Sequence, residues 1–308
     1  MPWFDAGVNL LDKRFDADEV IQRAQDAGVE KLCIITTHPS EWDAAVALYN
    51  KYPTQCCYTI GVHPHNAKDV TPSDYKRLRE LAQQKGCVAI GECGLDFNRN
   101  FSPQPVQLAV FEAQLDIAAA LDLPVYLHER DAFDEQVALL TEYMPRIKGG
   151  IAHCFTGNAE QVQHYLALGL YIGITGWVCD ERRGGELREI VSDIPLDRLM
   201  IETDAPYLTP RTYRPKPKSS RNEPFYLPHI ATELAKLMGC DTDELMEMLE
   251  IGRKHRDKIP VLSPPSSGEE EDNFSSWVNF YVQTWKKPWD LTPVLLSVAA
   301  HVLADDAI

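Results

Sequence analysis

The stretch Ile201–Pro210, IETDAPYLTP, puts Asp204 at the end of an apolar, strand-like run, two residues before a proline. A lone buried acid is costly unless it is paired or bound to a cation. Other apolar runs of the chain also end on polar side chains. The first gives Asp5, with Asn9 just after it, the third His63 and His65, the fourth Glu92, the fifth His128 and the sixth His153. Taken singly, each has a plain reading: a strand-end histidine as a packed structural residue, Glu92 as half of an ion pair, Asp204 as the cap of a turn. Taken together, two histidines, a glutamate and an aspartate make a donor set for zinc, manganese or magnesium, provided the fold gathers the strand ends.

The elements that must do the gathering are legible from Trp3 to about Leu249. The runs WFDAGV, KLCIITT, CYTIGVHP, CVAIGECG, PVYLHE, GGIAHCF, YIGITG and RLMIETD are short and nearly continuously apolar. Strands buried on both faces read this way. Between most of them lie segments of helical spacing, such as DADEVIQRAQDAG and PSDYKRLRELAQQKG, which open on capping residues and close on glycine. Eight such units in about 250 residues predict an α/β fold, a (β/α)8 barrel. A doubly wound open sheet is the rival with the same alternation. In a barrel the strand C-termini converge on one mouth, which would turn scattered residues into a single site.

Composition narrows the function classes. The chain has 308 residues, 44% of them hydrophobic, and a net charge of −16. That balance argues against a broad basic face for duplex nucleic acid. It leaves room for a local phosphate site. The eight cysteines are scattered through apolar runs without a C-x-x-C pair, the usage of reduced thiols in a cytoplasmic protein. The N-terminus lacks the pattern of a signal peptide, and the apolar run near the C-terminus is too interrupted to span a bilayer. Residues 1–250 read as the barrel domain. Prolines, serines and an acidic run mark 251–273 as a linker, and 274–308 as an aromatic, apolar extension without the βα rhythm.

Seven motifs follow one another from Asp5 to about Pro224: DAGVNL, GVHPHNAK, AIGECGLDFNRNFS, PVYLHERDAF, HCFTG, YIGITGWVCDERRG and IETDAPYLTPR with RNEP. In these the chain resembles the TatD family of metal-dependent deoxyribonucleases, within the amidohydrolase-like barrel group. The resemblance implies a divalent cation, magnesium first and manganese or zinc as alternatives, held by Glu92, His128, His153 and Asp204. It further implies phosphodiester hydrolysis, with 3′–5′ exonuclease action on single-stranded DNA and RNA as a further substrate. Two features depart from the family pattern. Gly7 and Asn9 stand where many members carry an H-x-H pair that helps bind a second metal, as in the subgroup named for TatD itself. The chain from about Gly252 onward departs as well.

The expected chemistry assigns Asp204 as general base, with Glu92 beside it. His63 and His65 contact the phosphate or protonate the leaving oxygen; their plain reading is a turn with an orienting histidine. The basic segment PRTYRPKPKSSRNEP, with Arg211, Arg214, Lys216, Lys218 and Arg221, supplies charge at the mouth, and Arg182 and Arg183 add to it. Arg221 is the phosphate contact expected there, and Tyr207 and Tyr213 are candidates for base stacking. A narrow mouth of this kind suits a single strand or a 3′ end. The alternative is a metal-dependent amidohydrolase or esterase acting on a small molecule, which needs the same ligands but no basic mouth. A non-enzymatic role carried by the tail is the remaining class. His38, His164, His229, His255 and His301 read as structural or surface residues.

Overall fold

The computed structural model describes residues 3–246 and 249; the expected linker and extension, with His255 and His301, lie outside the described residues. Eight strands form one sheet in sequence order, each hydrogen-bonded to the next. They are β1 (Trp3–Val8), β2 (Val29–Ile34), β3 (Cys56–Ile60), β4 (Cys87–Asp96), β5 (Val125–Arg130), β6 (Gly150–Ala152), β7 (Tyr171–Ile174) and β8 (Leu199–Ile201). Every neighbouring pair is parallel. The helices in between are α1 (Ala17–Asp26), α2 (Trp42–Lys51), α3 (Pro72–Ala82), α4 (Gln104–Leu121), α5 (Phe133–Tyr143), α6 (Ala159–Ala167), α7 (Gly185–Ile190) and α8 (Leu227–Met238). This is the expected (β/α)8 architecture, not an open doubly wound sheet.

What decides between them is the seam between first and last strands. Val8 bridges Ala205 in parallel register. The Asn9 N–H donates to Ala205 O at 2.8 Å, and the Asp204 N–H to Gly7 O at 2.9 Å. Asp5 completes the seam: its buried carboxylate accepts from the Thr203 N–H at 2.8 Å and the Thr203 hydroxyl at 2.5 Å. Asp5 therefore closes the ring instead of facing the mouth.

Side chains alternate along a strand, so one set fills the ring and the other meets the helices. Ala6, Cys33, Ile35, Ala89, Tyr126 and Ile151 pack inside. The larger core lies between strands and helices, with Trp42, Tyr58, Phe111 and Tyr165 among its buried rings. Trp42 Nε1 also donates to Gly61 O at 3.0 Å, which fixes α2 over the end of β3. Truncating such a ring costs about 3–5 kcal/mol.

Local signals set the helix ends. Asp16 caps α1 by accepting from the N–H groups of Asp18 and Glu19. Asn158 and Gln161 form a capping box on α6. Gly239 ends α8 at φ 72°, a left-handed conformation that costs glycine little.

Three buried glutamines connect helices to the rim. Gln114 of α4 accepts from the Val62 N–H at 2.7 Å and donates to Val62 O at 3.1 Å. Gln107 makes the same two-way contact with the Asp96 backbone, at 2.8 and 3.0 Å. Gln136 of α5 accepts from the Leu95 N–H at 3.1 Å. Strand ends leave the sheet ladder with unpaired backbone groups, and a buried orphan is expensive. The glutamines satisfy those groups, so the segments carrying His63 and Asp96 are held by outer helices.

Candidate active site

Glu92 of β4 is buried at the C-terminal rim, and the imidazoles converge on its Oε1. His128 Nδ1 of β5 lies 3.0 Å away, His63 Nε2 3.4 Å and His153 Nε2 4.0 Å. His153 Nε2 is also 3.8 Å from Asp204 Oδ1. The ligand atoms fall into two groups, each lying within 4.8 Å of one another: His63 with Glu92 and His128, and His153 with Cys154 and Asp204. The structure thus brings together Glu92, His128, His153 and Asp204, and joins the two groups through Glu92. His63 stands among them.

Residues behind these set their orientation and proton placement. Tyr126 has one hydroxyl proton, which it donates to Glu202 Oε2 at 2.6 Å. The same hydroxyl is 2.6 Å from His153 Nδ1, and Glu202 Oε2 is 2.9 Å from that nitrogen. A carboxylate only accepts, so Nδ1 carries the proton and Nε2 turns toward Glu92 and Asp204. Glu202 also accepts from the Cys154 N–H at 2.6 Å, holding Cys154 at φ 46°. Asp204 has φ 51°. Two non-glycine residues in left-handed conformation at one site are strain that the surrounding bonds must hold.

Across the site His63 Nδ1 accepts from the His65 N–H at 3.1 Å, so in the neutral ring Nε2 bears the proton and faces Glu92. Asp96 binds His65 Nε2 at 2.6 Å and lies 3.4 Å from His128 Nε2. Its other oxygen accepts from the N–H groups of Asn98 and Arg99. Just past the first strand, Asn9 Nδ2 donates to Asp204 Oδ1 at 2.9 Å.

The electrostatics are those of a cluster with more donors than protons can satisfy. Burial alone would neutralise Glu92, but His63, His128 and His153 hold its carboxyl below the usual range. Burial lowers His63 to about 3, with His128 adding repulsion. Burial opposes charge on His128 too, yet Asp96 and Glu92 raise it to about 9. His153 is raised to about 10, against burial, by Glu202, Glu92 and Asp204. Burial pushes Asp204 up to about 7, with His153 pulling against it and Glu92 adding to it. These residues fit a divalent cation. Its charge would replace the protons that the acids force onto His128 and His153. Cys154 is the poorer donor, since burial and the nearby acids raise its thiol and keep it protonated.

The cluster opens into a cavity of about 1040 Å³. Arg99, Arg130 and Arg183 line it, with Tyr207, Trp177 and Phe133 as ring surfaces. Arg183 was expected near the mouth; Arg99 and Arg130 were not. Arg221 is placed elsewhere. Its guanidinium donates to Arg14 O at 2.8 Å and Glu223 Oε1 at 2.7 Å, and it does not line the cavity. Arg211 is drawn toward Asp180, Arg214 turns onto local backbone carbonyls, and the Tyr213 ring packs on Tyr226 and His229. His38, His164 and His229 have local structural partners, as expected.

The sequence profile of the family described as "TatD related DNase" matches residues 4–251. The chain belongs to the TatD family. It is 50% identical over 244 residues to the 3′-5′ ssDNA/RNA exonuclease TatD of Erwinia tasmaniensis, covering 79% of this chain and 94% of that protein. To the protein of the same name from Klebsiella pneumoniae it is 51% identical over 244 residues, covering 79% and 92%. Among solved structures, a hydrolase TatD family protein from Entamoeba histolytica superposes with TM-score 0.74 at 26% identity, covering 83% of this chain and 97% of that one. A TatD homologue from Escherichia coli K12 gives the same score and identity over 84% and 98%.

The TatD pattern gives the departure at Gly7 a physical reason. A Cβ on Gly7 would collide with the Tyr126 hydroxyl and crowd Glu202 Oε2. The space a first-strand side chain needs is filled by the group that orients His153. Tyr126, Glu202 and Asp96 were not anticipated from the sequence. For Tyr126 a signal was present: it precedes His128 by two within β5, the spacing that puts side chains on one face of a strand.

Proposed function

We propose that this protein is a divalent-metal-dependent 3′–5′ exonuclease that hydrolyses single-stranded DNA, and RNA, as its curated relatives are named. The observation that carries the reading is the Glu92-centred ligand cluster at the floor of a cavity lined by guanidinium groups and aromatic rings. Glu92, His128, His153 and Asp204 would hold the cation, which supplies polarisation of a phosphoryl oxygen and a lowered pKa for water.

The chain's own groups do the rest. Asn9 holds Asp204 Oδ1, leaving Oδ2 with no hydrogen-bond partner among the described residues and able to take a proton from the attacking water. A carboxylate beside a cation stays ionised and ready to accept. His63 directs its Nε2 proton into the cluster, and His65, held by Asp96, is the candidate partner for the phosphate or the leaving oxygen. Among the described residues Arg99 and Arg130 form no side-chain hydrogen bond or ion pair, which leaves them available to phosphates at the cavity wall. Magnesium is the proposed ion on the oxygen-rich side of the site, with manganese and zinc compatible with the imidazoles. Eight free cysteines support a cytoplasmic setting. Among the described residues no helix is long and apolar enough to cross a membrane.

The test is a 5′-labelled single-stranded oligonucleotide incubated with magnesium and then with chelator. The proposal expects a ladder shortening from the 3′ end that chelator abolishes. No degradation with magnesium, manganese or zinc by a folded sample overturns it, and turnover confined to small esters or amides would replace it with the amidohydrolase reading.

A further inference from the structure

Tyr207 is 50% exposed and lines the cavity three residues beyond Asp204. Its backbone N–H donates to Asp204 O at 2.9 Å, so its position is tied to that of the candidate base. One face of the ring is covered: the Arg14 guanidinium carbon lies 4.6 Å from the ring centroid. Tyr207 lines the cavity and Arg14 does not, so the guanidinium backs the ring from outside the cavity.

The backing is built. Arg14 is held bidentately by Asp12, Nε at 2.8 Å and Nη2 at 2.7 Å. The Arg14 carbonyl accepts from Arg221 at 2.8 Å, and Arg221 is held in turn by Glu223, which also binds Arg23 at 2.7 Å. A large aromatic surface is thus kept half in solvent, against its hydrophobic preference, by a chain of fixed charges. The neighbouring Trp177 differs. Its ring carries Arg183 at 4.4 Å, and Arg183 itself lines the cavity.

We propose that Tyr207 is a specificity-determining residue that stacks one nucleobase of the bound strand near its 3′ end, with Arg14 as the residue that positions the ring. The inference rests on the exonuclease reading and deepens it. A base within a duplex has both faces covered by neighbours and its edge paired, so only an unpaired base stacks on an aromatic platform in the cavity wall. Arg221 acts through this platform, at one remove from substrate.

The experiment compares the unaltered chain with Tyr207→Ala, Tyr207→Phe and Arg14→Gln on a 5′-labelled oligothymidylate. Three further substrates carry a single abasic tetrahydrofuran at the terminal, penultimate or antepenultimate position. Base–aromatic stacking is worth about tenfold or more in binding. Tyr207→Ala is expected to lower kcat/KM on the intact strand about tenfold, mostly through KM, while Tyr207→Phe stays near the unaltered rate. One abasic position should slow the unaltered chain by a similar factor and Tyr207→Ala no further. Arg14→Gln should give a smaller rise in KM on the intact strand and none on that abasic substrate. Equal slowing by Tyr207→Ala on the intact and all abasic strands, or no slowing at all, overturns the proposal. Thermal melts check that the variants fold. Absence of cleavage by the unaltered chain removes the exonuclease reading and this proposal with it.

Discussion

Asn9 Nδ2 and Asp204 Oδ1 are hydrogen-bonded at 2.9 Å across the seam that closes the barrel. The same asparagine reaches Ala205 O at 3.3 Å, and its backbone N–H donates to that carbonyl at 2.8 Å. The residue just past the first strand thus holds the candidate base. Hydrogen bonds to charged groups are worth about 1.5–3 kcal/mol. Asn9→Ala should lower kcat about tenfold or more with little change in KM. Asn9→Asp should be worse, because it sets one carboxylate against another. Steady-state kinetics on single-stranded DNA check this; an Asn9→Asp variant faster than Asn9→Ala would contradict it.

Tyr126 and Glu202 determine which nitrogen of His153 is free. Tyr126→Phe removes the donor to a fully buried carboxylate, leaving Glu202 less satisfied. The expected cost is about 1–3 kcal/mol of stability. Loss of an orienting partner also weakens metal sites by about 10- to 100-fold. Both effects are measurable on one sample, by thermal melt and by manganese titration. Unchanged affinity in a destabilised protein would make Tyr126 structural only.

Much of the site was legible because barrel geometry turns strand ends into neighbours. Asp204, His153, His128 and Glu92 each end an apolar run, and the structure gathers them at one rim. The misplacements have physical causes. Asp5 also sits in an apolar run, but its side chain turns to Thr203 at the seam, and a strand pattern does not reveal which of two adjacent residues faces inward. The basic segment from Arg211 to Arg221 revealed charge without direction. Arg221 found Glu223 two residues away, whereas Arg99, in the turn after β4, and Arg130, at the end of β5, line the cavity. Glu202 read as an ordinary acid after a β-type run, and alternation put Tyr126 on the face of His128 without revealing its buried hydrogen bonds.

Asp5 gives a pH signature separate from catalysis. Burial raises its carboxyl from 3.8 to about 7, opposed by the bonds from Thr203. Between these values the folded chain keeps a proton that the unfolded chain releases. Its contribution to stability is therefore full below about pH 4 and is lost as pH rises through about 7. Asp5→Asn removes that dependence while keeping an acceptor for the Thr203 N–H. Relative to the unaltered chain, the variant should gain about 2–4 kcal/mol on going from pH 4 to pH 8. Chemical denaturation at the two pH values checks the sign, and a relative loss on raising the pH would contradict it.

The central claim is that Glu92 joins the two halves of one cation site. Calorimetric titration of manganese into the unaltered chain and into Glu92→Gln, with folding confirmed for both, tests it most directly. The account predicts that the substitution weakens binding at least about 100-fold, since it removes the charge on which three imidazoles converge. Equal affinity in the two proteins would contradict it.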